Sequence, residues 1–303
     1  MEKYLIVLVG PTAVGKTALS IQLAKALKTD IVSADSRQFF KELSIGTAKP
    51  DIEEMDGVPH HFIDCMSIHE PYSAGKFELD ALNTIDEIFK THDSTILTGG
   101  SGLYINAVCE GIDDMPPTPP EIRDNLMQRL ENEGLEILRN ELKVIDPQYF
   151  NEVDPNNSQR IVRALEVYQV SGKPISYFRK SKLNKRPFKM IKIGLERDRE
   201  ELYNRINQRM DIMIGKGLFE EAKKYQAYKE INALQTVGYK EIYDYLDGKY
   251  DYEEAVRLLK RNSRRYAKRQ MTWFKRGQDY AWFHPDEFEK IMTHINEKIK
   301  RAN

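Results

Sequence analysis

The sequence has few cysteines and no long apolar run. Its two cysteines, Cys65 and Cys109, are too few and too far apart for a disulfide framework or a zinc finger. No apolar segment approaches the roughly 20 residues that span a bilayer. The N-terminal MEKYLIVLVG has no cleavable signal pattern, because its apolar run continues into a glycine turn. These absences predict a cytoplasmic protein.

Acidic residues are missing from two long basic segments. The net charge is −1, yet residues 176–192 contain seven basic residues, residues 255–276 contain nine, and neither segment contains an acid. The basic residues are Arg179, Lys180, Lys182, Lys185, Arg186, Lys189, Lys192, Arg257, Lys260, Arg261, Arg264, Arg265, Lys268, Arg269, Lys275 and Arg276. Aromatic residues lie among them, which favours a nucleic-acid partner over two solvated helix faces, the alternative explanation.

Residues 4–27 contain a phosphate-binding motif. Leu5–Val9 reads as a buried parallel strand, Gly10–Thr17 (GPTAVGKT) fits G-x-x-x-x-G-K-[ST], and a helix pattern follows. Glycines let successive backbone N–H groups point at a phosphate, and the helix N-terminus adds positive potential. Lys16 is expected to reach the distal phosphates and Thr17 to hold Mg²⁺. The motif predicts phosphate or pyrophosphate binding but does not identify the reaction.

Polar residues follow the next predicted strand, Ile31–Ala34. Asp35 comes at its carboxyl end, where ligands bind in parallel sheets, so it is expected near the phosphate loop. Its carboxylate is suited to metal binding or to base catalysis, and an ordinary helix N-cap is equally compatible with the local sequence. The loop Ile45–Pro50 is predicted to be a binding element.

A third buried strand, Thr95–Thr98, ends without an acid. NTP-hydrolysing sites usually place Asp or Glu at that point, whereas this strand runs into Gly99-Gly100-Ser101-Gly102. The site is therefore expected to hold a pyrophosphate without hydrolysing it. His60-His61 is not expected to bind metal, because adjacent strand residues point to opposite faces.

The α/β alternation stops at a cluster of four prolines in residues 116–120 and resumes at Ile191–Leu195. The pattern predicts an α/β fold, with a P-loop NTPase-like core and a parallel sheet flanked by helices at 1–115 and 190–303. Residues 116–189 are expected to form an all-helical insertion domain. Predicted helices cover 72–90, 121–131, 135–145, 158–171, 199–214, 218–228, 236–246 and 252–274, and a last strand covers 280–283.

Eight ordered segments resemble one family over nearly the whole chain. They are GPTAVGKT, SADSRQFF with IGTAKP, VPHHFID, GGSGLY, SQRIVRALE, RINQRMDIMIGKGLFEEA, VGYKE and AKRQMTWFKR. Together they resemble the bacterial tRNA dimethylallyltransferases, also called tRNA isopentenyltransferases. One departure is Ser101, where threonine is expected, and it retains a hydroxyl.

The resemblance implies an enzyme that transfers a dimethylallyl group from dimethylallyl pyrophosphate to the N6 amine of the tRNA adenosine 3′ of the anticodon, releasing pyrophosphate. It implies catalytic roles for Asp35 as general base and for Lys16, Thr17 and Arg209, with Arg205 as the second choice of arginine, and Mg²⁺ as cofactor. The implied pyrophosphate-binding residues are Gly10, Pro11, Thr12, Ala13, Val14, Gly15, Lys16 and Thr17. The implied tRNA-binding residues are Asp35, Ser36, Arg37, Gln38, Ser101, Arg123, Gln159, Arg160, Ile161, Val162 and Arg163.

Three other functions are compatible with parts of this pattern. A P-loop nucleotide kinase would bind ATP, and an adenylate isopentenyltransferase would act on free nucleotide. An RNA-binding chaperone would keep the phosphate loop as a vestige, which the complete loop and Asp35 disfavour. The tRNA anticodon stem-loop and dimethylallyl pyrophosphate are the expected partners, and the protein is expected to act as a monomer without a membrane.

Overall fold

The computed structural model describes residues 2–179, 185–276 and 279–300. The chain divides into two compact units, Met1–Glu110 with Lys185–Asn303, and Gly111–Asn184. The first unit contains a six-stranded parallel sheet in the order β3-β2-β4-β1-β5-β6. Its strands are β1 (Tyr4–Val9), β2 (Ile31–Ser33), β3 (His60–His61), β4 (Ser94–Gly99), β5 (Lys189–Leu195) and β6 (Ala281–Phe283). The predicted P-loop NTPase-like fold with a parallel sheet is confirmed.

Helices cover both faces of this sheet and build the second unit. They are α1 (Lys16–Leu27), α2 (Ile52–Met55), α3 (Ala74–Phe89), α4 (Gly102–Glu110), α5 (Pro120–Glu133), α6 (Leu135–Ile145), α7 (Pro147–Glu152), α8 (Ser158–Ser171), α9 (Ile175–Phe178), α10 (Arg199–Gly215), α11 (Leu218–Lys224), α12 (Tyr239–Leu246), α13 (Tyr252–Lys275) and α14 (Phe288–Lys300). Within the described residues no helix is both long enough and apolar enough to cross a membrane.

Strand β1 has the most protected position in the sheet. All six of its residues are buried, because it lies between β4 and β5 and is covered on both faces. Two separate apolar clusters form those two sides, one around Leu5, Val7 and Val9 and the other around Ile6 and Leu8. A continuous apolar run is therefore required here, since neither face reaches water. The strand holds the phosphate loop that follows it.

Several element boundaries differ from the predictions. The helix expected over 218–228 ends at Lys224, and a single 3₁₀ turn follows at Gln226–Tyr228. The helix expected from residue 236 begins at Tyr239, because Gly238 has a φ of +104° that a helix excludes. The sequence did not predict the strand β3 or the helices α2, α7, α9 and α14. Most of these elements are too short to show a repeating pattern of apolar residues.

The second unit is all-helical in its described part. Its core is built from the apolar faces of α5, α6 and α8, around Leu126, Leu138, Leu142 and Leu165. Its boundaries, residues 111 and 184, each lie five residues before the predicted boundaries, 116 and 189. The second boundary is earlier because Arg186 and Phe188 pack in the first unit. Phe188 is 7% exposed, and its ring centroid lies 5.8 Å from that of Phe89.

Arg186 anchors the chain where it returns to the first unit. Its guanidinium donates to the backbone oxygens of Ala107 and Val108 and to the Glu78 carboxylate, at 2.7–2.8 Å. The side chains of Arg186 and Glu78 are only 8% and 12% exposed. Replacing the arginine would remove its charge from this buried pair and its donors from the Ala107 and Val108 oxygens.

We expect Arg186→Ala to lower the free energy of unfolding by about 3 kcal/mol, measured by urea denaturation. The matched control is Arg257→Ala, which removes an arginine of the exposed ion pair with Glu254 and should change stability little. Equal effects of the two substitutions would contradict the role of Arg186 as a buried anchor.

Candidate active site

The phosphate loop turns sharply between β1 and α1. Gly15, the N-cap of α1, has a φ of +118°, and Ala13 has a φ of +63°. A Cβ atom at Gly15 would also lie 3.3 Å from Cβ of Pro285. Glycine is therefore favoured at this position by its backbone conformation.

Side chains from α10, α13 and the loop between β5 and α10 hold this loop from outside. Arg205 Nε donates to the Ala13 oxygen at 2.9 Å, and Arg197 Nε donates to the Val14 oxygen at 2.8 Å. On the other side, Gln270 Oε1 accepts the Thr12 N–H at 2.9 Å. Because the carbonyls of Ala13 and Val14 are held by these arginines, the orientation of the peptide planes in the loop is determined by residues far away in sequence.

Lys16 is held at the mouth of the loop. Its Nζ donates to the backbone oxygens of Gly10 at 2.9 Å and Pro11 at 2.8 Å. Burial lowers the pKa of Lys16 to about 8; the charge of Asp35 opposes this shift, and that of Arg209 adds to it. A bound anion would favour the charged form of the lysine.

A cleft lies beside the loop. The predicted site residues that line it are Thr12, Ala13, Lys16, Thr17, Asp35, Arg37, Gln38 and Arg209. Gly46 and Thr47 also line it, and they belong to the loop predicted to be a binding element. The structure therefore brings together residues from four separate parts of the sequence.

One wall of the cleft is apolar and was not predicted from the sequence. It is formed by Ile206, Met210, Met213, Leu218 and Val237. The first three recur at helical spacing on α10 and are almost fully buried. Such spacing is the ordinary signature of a core-facing helix, so no sequence signal distinguished a cleft wall from a packed core.

Asp35 lies just beyond the carboxyl end of β2 and faces the cleft. Its Oδ1 accepts the backbone N–H of Arg37 at 3.1 Å. Residues 36–39 form a turn and not a helix, so Asp35 is not a helix N-cap. Ser101, from the glycine-rich turn after β4, accepts the Ser36 N–H at 3.1 Å and donates to the Ser36 hydroxyl at 3.0 Å. The ends of β2 and β4 are thus joined beside the phosphate loop.

The two candidate arginines of α10 occupy different environments. Arg209 lines the cleft; burial lowers its pKa, and the charge of Asp35 opposes that shift. Arg205 is exposed and donates to the Ala13 oxygen from outside the loop. Arg209 is therefore the better placed of the two to meet an anion in the cleft.

The residues near the loop suit a magnesium ion that is held mainly by the phosphate oxygens of a bound substrate. The described residues contain no group of three or more His, Cys, Asp or Glu side chains that would hold a metal by themselves. The Thr17 hydroxyl and the Asp35 carboxylate both face the cleft and offer oxygen atoms, which Mg²⁺ prefers. His60 and His61 have separate partners, the Val58 oxygen and Asp30.

In the second unit, the predicted tRNA-binding residues form a polar cluster around Glu166. Arg123 donates to Glu166 at 2.7 Å and to Gln159 at 2.8 Å, and Arg163 donates to Glu166 at 3.0 Å. Arg160 is exposed beside them. The prediction that Ile161 and Val162 contact tRNA is wrong for their side chains, which are fully buried in the core of this unit.

The two basic segments differ in how much positive surface they present. In the first, Arg186 is buried, Arg179 pairs with Glu152 and Lys189 pairs with Glu2, while Lys180 and Lys182 lie outside the described residues. The second segment covers α13 and Arg276. Its exposed basic residues are Arg257, Arg265, Lys268, Arg269, Lys275 and Arg276, and of these Arg257 pairs with Glu254 and Lys275 with Glu196. The prediction that both segments contact nucleic acid is therefore wrong for Arg186, whose side chain is buried.

Comparisons with known proteins agree with this geometry. The family model described as IPP transferase matches residues 38–277. A tRNA dimethylallyltransferase of Cytophaga hutchinsonii is 53% identical over 300 residues, covering 99% of both chains. The crystal structure of the full-length tRNA isopentenylpyrophosphate transferase of Bacillus halodurans is 40% identical, with a TM-score of 0.72 over 100% of this chain and 99% of that one.

A eukaryotic dimethylallyltransferase described as acting on tRNA is 28% identical and has a TM-score of 0.79, covering 98% of this chain and 77% of that one. The fold, the phosphate loop and these likenesses agree over nearly the full length of the sequence. The chain belongs to the tRNA dimethylallyltransferase family, a family of transferases that modify tRNA.

Proposed function

We propose that this enzyme transfers the dimethylallyl group of dimethylallyl pyrophosphate to N6 of the adenosine 3′ of the anticodon in tRNA. The observation that carries the proposal is a single cleft that combines an anion-binding loop, a carboxylate and an apolar wall. The loop suits the pyrophosphate, the carboxylate suits an amine proton, and the apolar wall suits the prenyl group. The proposed tRNA substrate also implies a cytoplasmic enzyme.

In the proposed reaction a C–N bond forms and a C–O bond breaks. The adenine amine attacks C1 of the donor, the pyrophosphate departs with the bonding electron pair, and one N6 proton passes to Asp35. The amine is a weak nucleophile because its lone pair is delocalised into the ring. A carboxylate that accepts its proton as the bond forms is therefore a suitable general base.

Negative charge develops on the leaving pyrophosphate, and the loop residues are placed to stabilise it. Lys16 would exchange its contacts with the Gly10 and Pro11 oxygens for contacts with the pyrophosphate. Arg209 and the backbone N–H groups of residues 10–17 add further donors. When Mg²⁺ is bound by the Thr17 hydroxyl and the phosphate oxygens, it would neutralise part of the same charge.

The target adenosine is stacked in the anticodon loop, so it must leave the stack to reach the cleft, at a cost of a few kcal/mol. We assign contacts near the flipped base to Asp35, Ser36, Arg37, Gln38 and Ser101. In the second unit we assign tRNA contacts to Arg123, Gln159, Arg160 and Arg163. The exposed basic face of α13 is proposed to contact phosphates, which positions the RNA without reading its sequence. We further propose that one chain suffices for the reaction.

The direct test is incubation of the protein with unmodified tRNA, Mg²⁺ and dimethylallyl pyrophosphate, followed by mass spectrometry of the nucleosides. We expect a prenylated adenosine, and we expect none when the tRNA carries another base 3′ of the anticodon. Absence of the product, together with ATP turnover on nucleotide acceptors, would instead indicate a nucleotide kinase.

We expect Lys16→Ala to weaken donor binding at least about tenfold, since one charge-assisted contact to pyrophosphate is lost. Affinity for tRNA should stay within about threefold, because the lysine lies on the donor side of the cleft. Calorimetry with the donor and filter binding with tRNA measure the two quantities. An equal loss of both would contradict this assignment.

The pH dependence of donor binding is the internal control for that experiment. Because the pKa of Lys16 is lowered to about 8, the wild-type lysine is charged below that pH and becomes neutral above it. Donor affinity of the wild type should therefore fall as the pH rises from 7 to 9. In Lys16→Ala the affinity should be nearly constant over the same range.

We expect Asp35→Ala to lower turnover at least about tenfold while donor affinity at pH 7 is kept, since a general base contributes to the chemical step. Asp86→Ala is the matched control, because Asp86 is an exposed acid on α3. Single-turnover rates with saturating donor and tRNA measure the effect. A near-normal rate for Asp35→Ala would remove this residue as the base.

A further inference from the structure

The turn formed by residues 44–48 is held by one carboxylate from another part of the chain. Glu221, on α11, accepts the backbone N–H groups of Ser44 at 3.0 Å and of Ile45 and Gly46 at 2.9 Å. These three amides begin a turn that closes with hydrogen bonds from Ala48 N to Ile45 O and from Lys49 N to Ser44 O. They are the donors that such a turn leaves unpaired at its start, and an acceptor with a full negative charge is their strongest partner.

A buried tyrosine completes this arrangement. Tyr239, at the start of α12, donates its hydroxyl to Glu221 at 2.5 Å and is fully buried. Burial and the nearby charge of Glu221 raise the pKa of Tyr239, so its hydroxyl remains a donor. Its ring also covers Gly46, where an added Cβ would lie 2.6 Å from two ring atoms. We call Glu221, Tyr239 and the turn 44–48 the carboxylate clamp.

The turn of the carboxylate clamp is hydrogen-bonded to Gln38, a residue of the cleft. The turn presents the oxygens of Thr47 and Ala48, and Gln38 Nε2 donates to them at 3.2 and 3.3 Å. Gln38 and Thr47 both line the cleft that contains Asp35. The position of the Gln38 amide therefore depends on the turn, and the position of the turn depends on Glu221.

We propose that Glu221 and Tyr239 are positioning residues for the acceptor side of the reaction, which act through the turn 44–48 on Gln38. The proposal rests on the proposed function for its catalytic consequence. Neither side chain needs to touch tRNA. The donor side is expected to be largely independent of the clamp, because the phosphate loop is held by Arg197, Arg205 and Gln270 instead.

The first experiment is hydrogen–deuterium exchange of Glu221→Gln, which keeps the shape of the side chain but replaces one acceptor oxygen by a donor. The amides of residues 44–46 should exchange at least about tenfold faster than in the wild type, while those of β1 and β4 stay unchanged. Glu220→Gln is the matched control, since Glu220 is the exposed neighbour on the same helix. Unchanged exchange at 44–46 in Glu221→Gln would overturn the proposal.

The second experiment separates positioning from general stability. In Glu221→Gln we expect kcat/KM for tRNA to fall at least about tenfold and the Kd of dimethylallyl pyrophosphate to change less than about threefold. The double variant with Gln38→Ala should lose little more than the worse single variant, because both changes break one chain of contacts. Additive losses, or an equal loss of donor affinity, would overturn the proposal.

Tyr239→Phe decides the question if Glu221→Gln does not fold, because it removes one hydroxyl and keeps the buried ring. It should raise exchange at 44–46 and lower kcat/KM for tRNA by about threefold. Wild-type values of both would overturn the proposal. If the wild type itself forms no prenylated adenosine, the proposed function fails, and exchange at 44–46 together with tRNA affinity still decides the role of the clamp.

Discussion

The orientation of a few peptide groups between β1 and α1 is the constraint on which the active site depends. A loop that binds an anion through backbone amides needs its N–H groups turned inward and its carbonyl oxygens turned away or engaged. Here the oxygens of Gly10 and Pro11 are engaged by Lys16. Those of Ala13 and Val14 are engaged by arginines of the β5–α10 region. The loop is thus part of a larger network and does not act as an isolated motif.

The same principle recurs at the turn 44–48, where a carboxylate collects three amides. Two walls of one cleft are therefore positioned by charged side chains that bond to the backbone from behind. Such contacts cost little reorganisation at the moment of reaction, because the donors and acceptors are already satisfied and oriented. The apolar wall of α10 needs no comparable support, since packing alone holds it.

Whether a basic segment of this chain presents positive surface depends on which acids the fold brings next to it. The acid-free segment around Arg186 resembles an RNA-binding surface in sequence, yet its partners Glu78, Glu152 and Glu2 come from other parts of the chain. On α13, Arg257, Lys260 and Lys275 also pair with acids. Arg265, Lys268 and Arg269 are exposed, while Ala255, Leu259 and Ala267 are buried on the opposite side. One helix therefore serves both the core and a positive surface.

The sequence alone predicted the parallel sheet except for β3, the phosphate loop and the position of Asp35 at a strand end. These features follow from local rules: an apolar run buried on both faces, a glycine turn and the carboxyl ends of parallel strands. It also determined the family, through eight ordered segments. The fold, and not any local pattern, put Arg209 in the cleft and Arg205 against the Ala13 oxygen, and it buried Ile161 and Val162. It alone brought Glu221 to the turn 44–48. These outcomes depend on contacts between residues far apart in the chain, and such contacts leave no period or spacing in a single sequence.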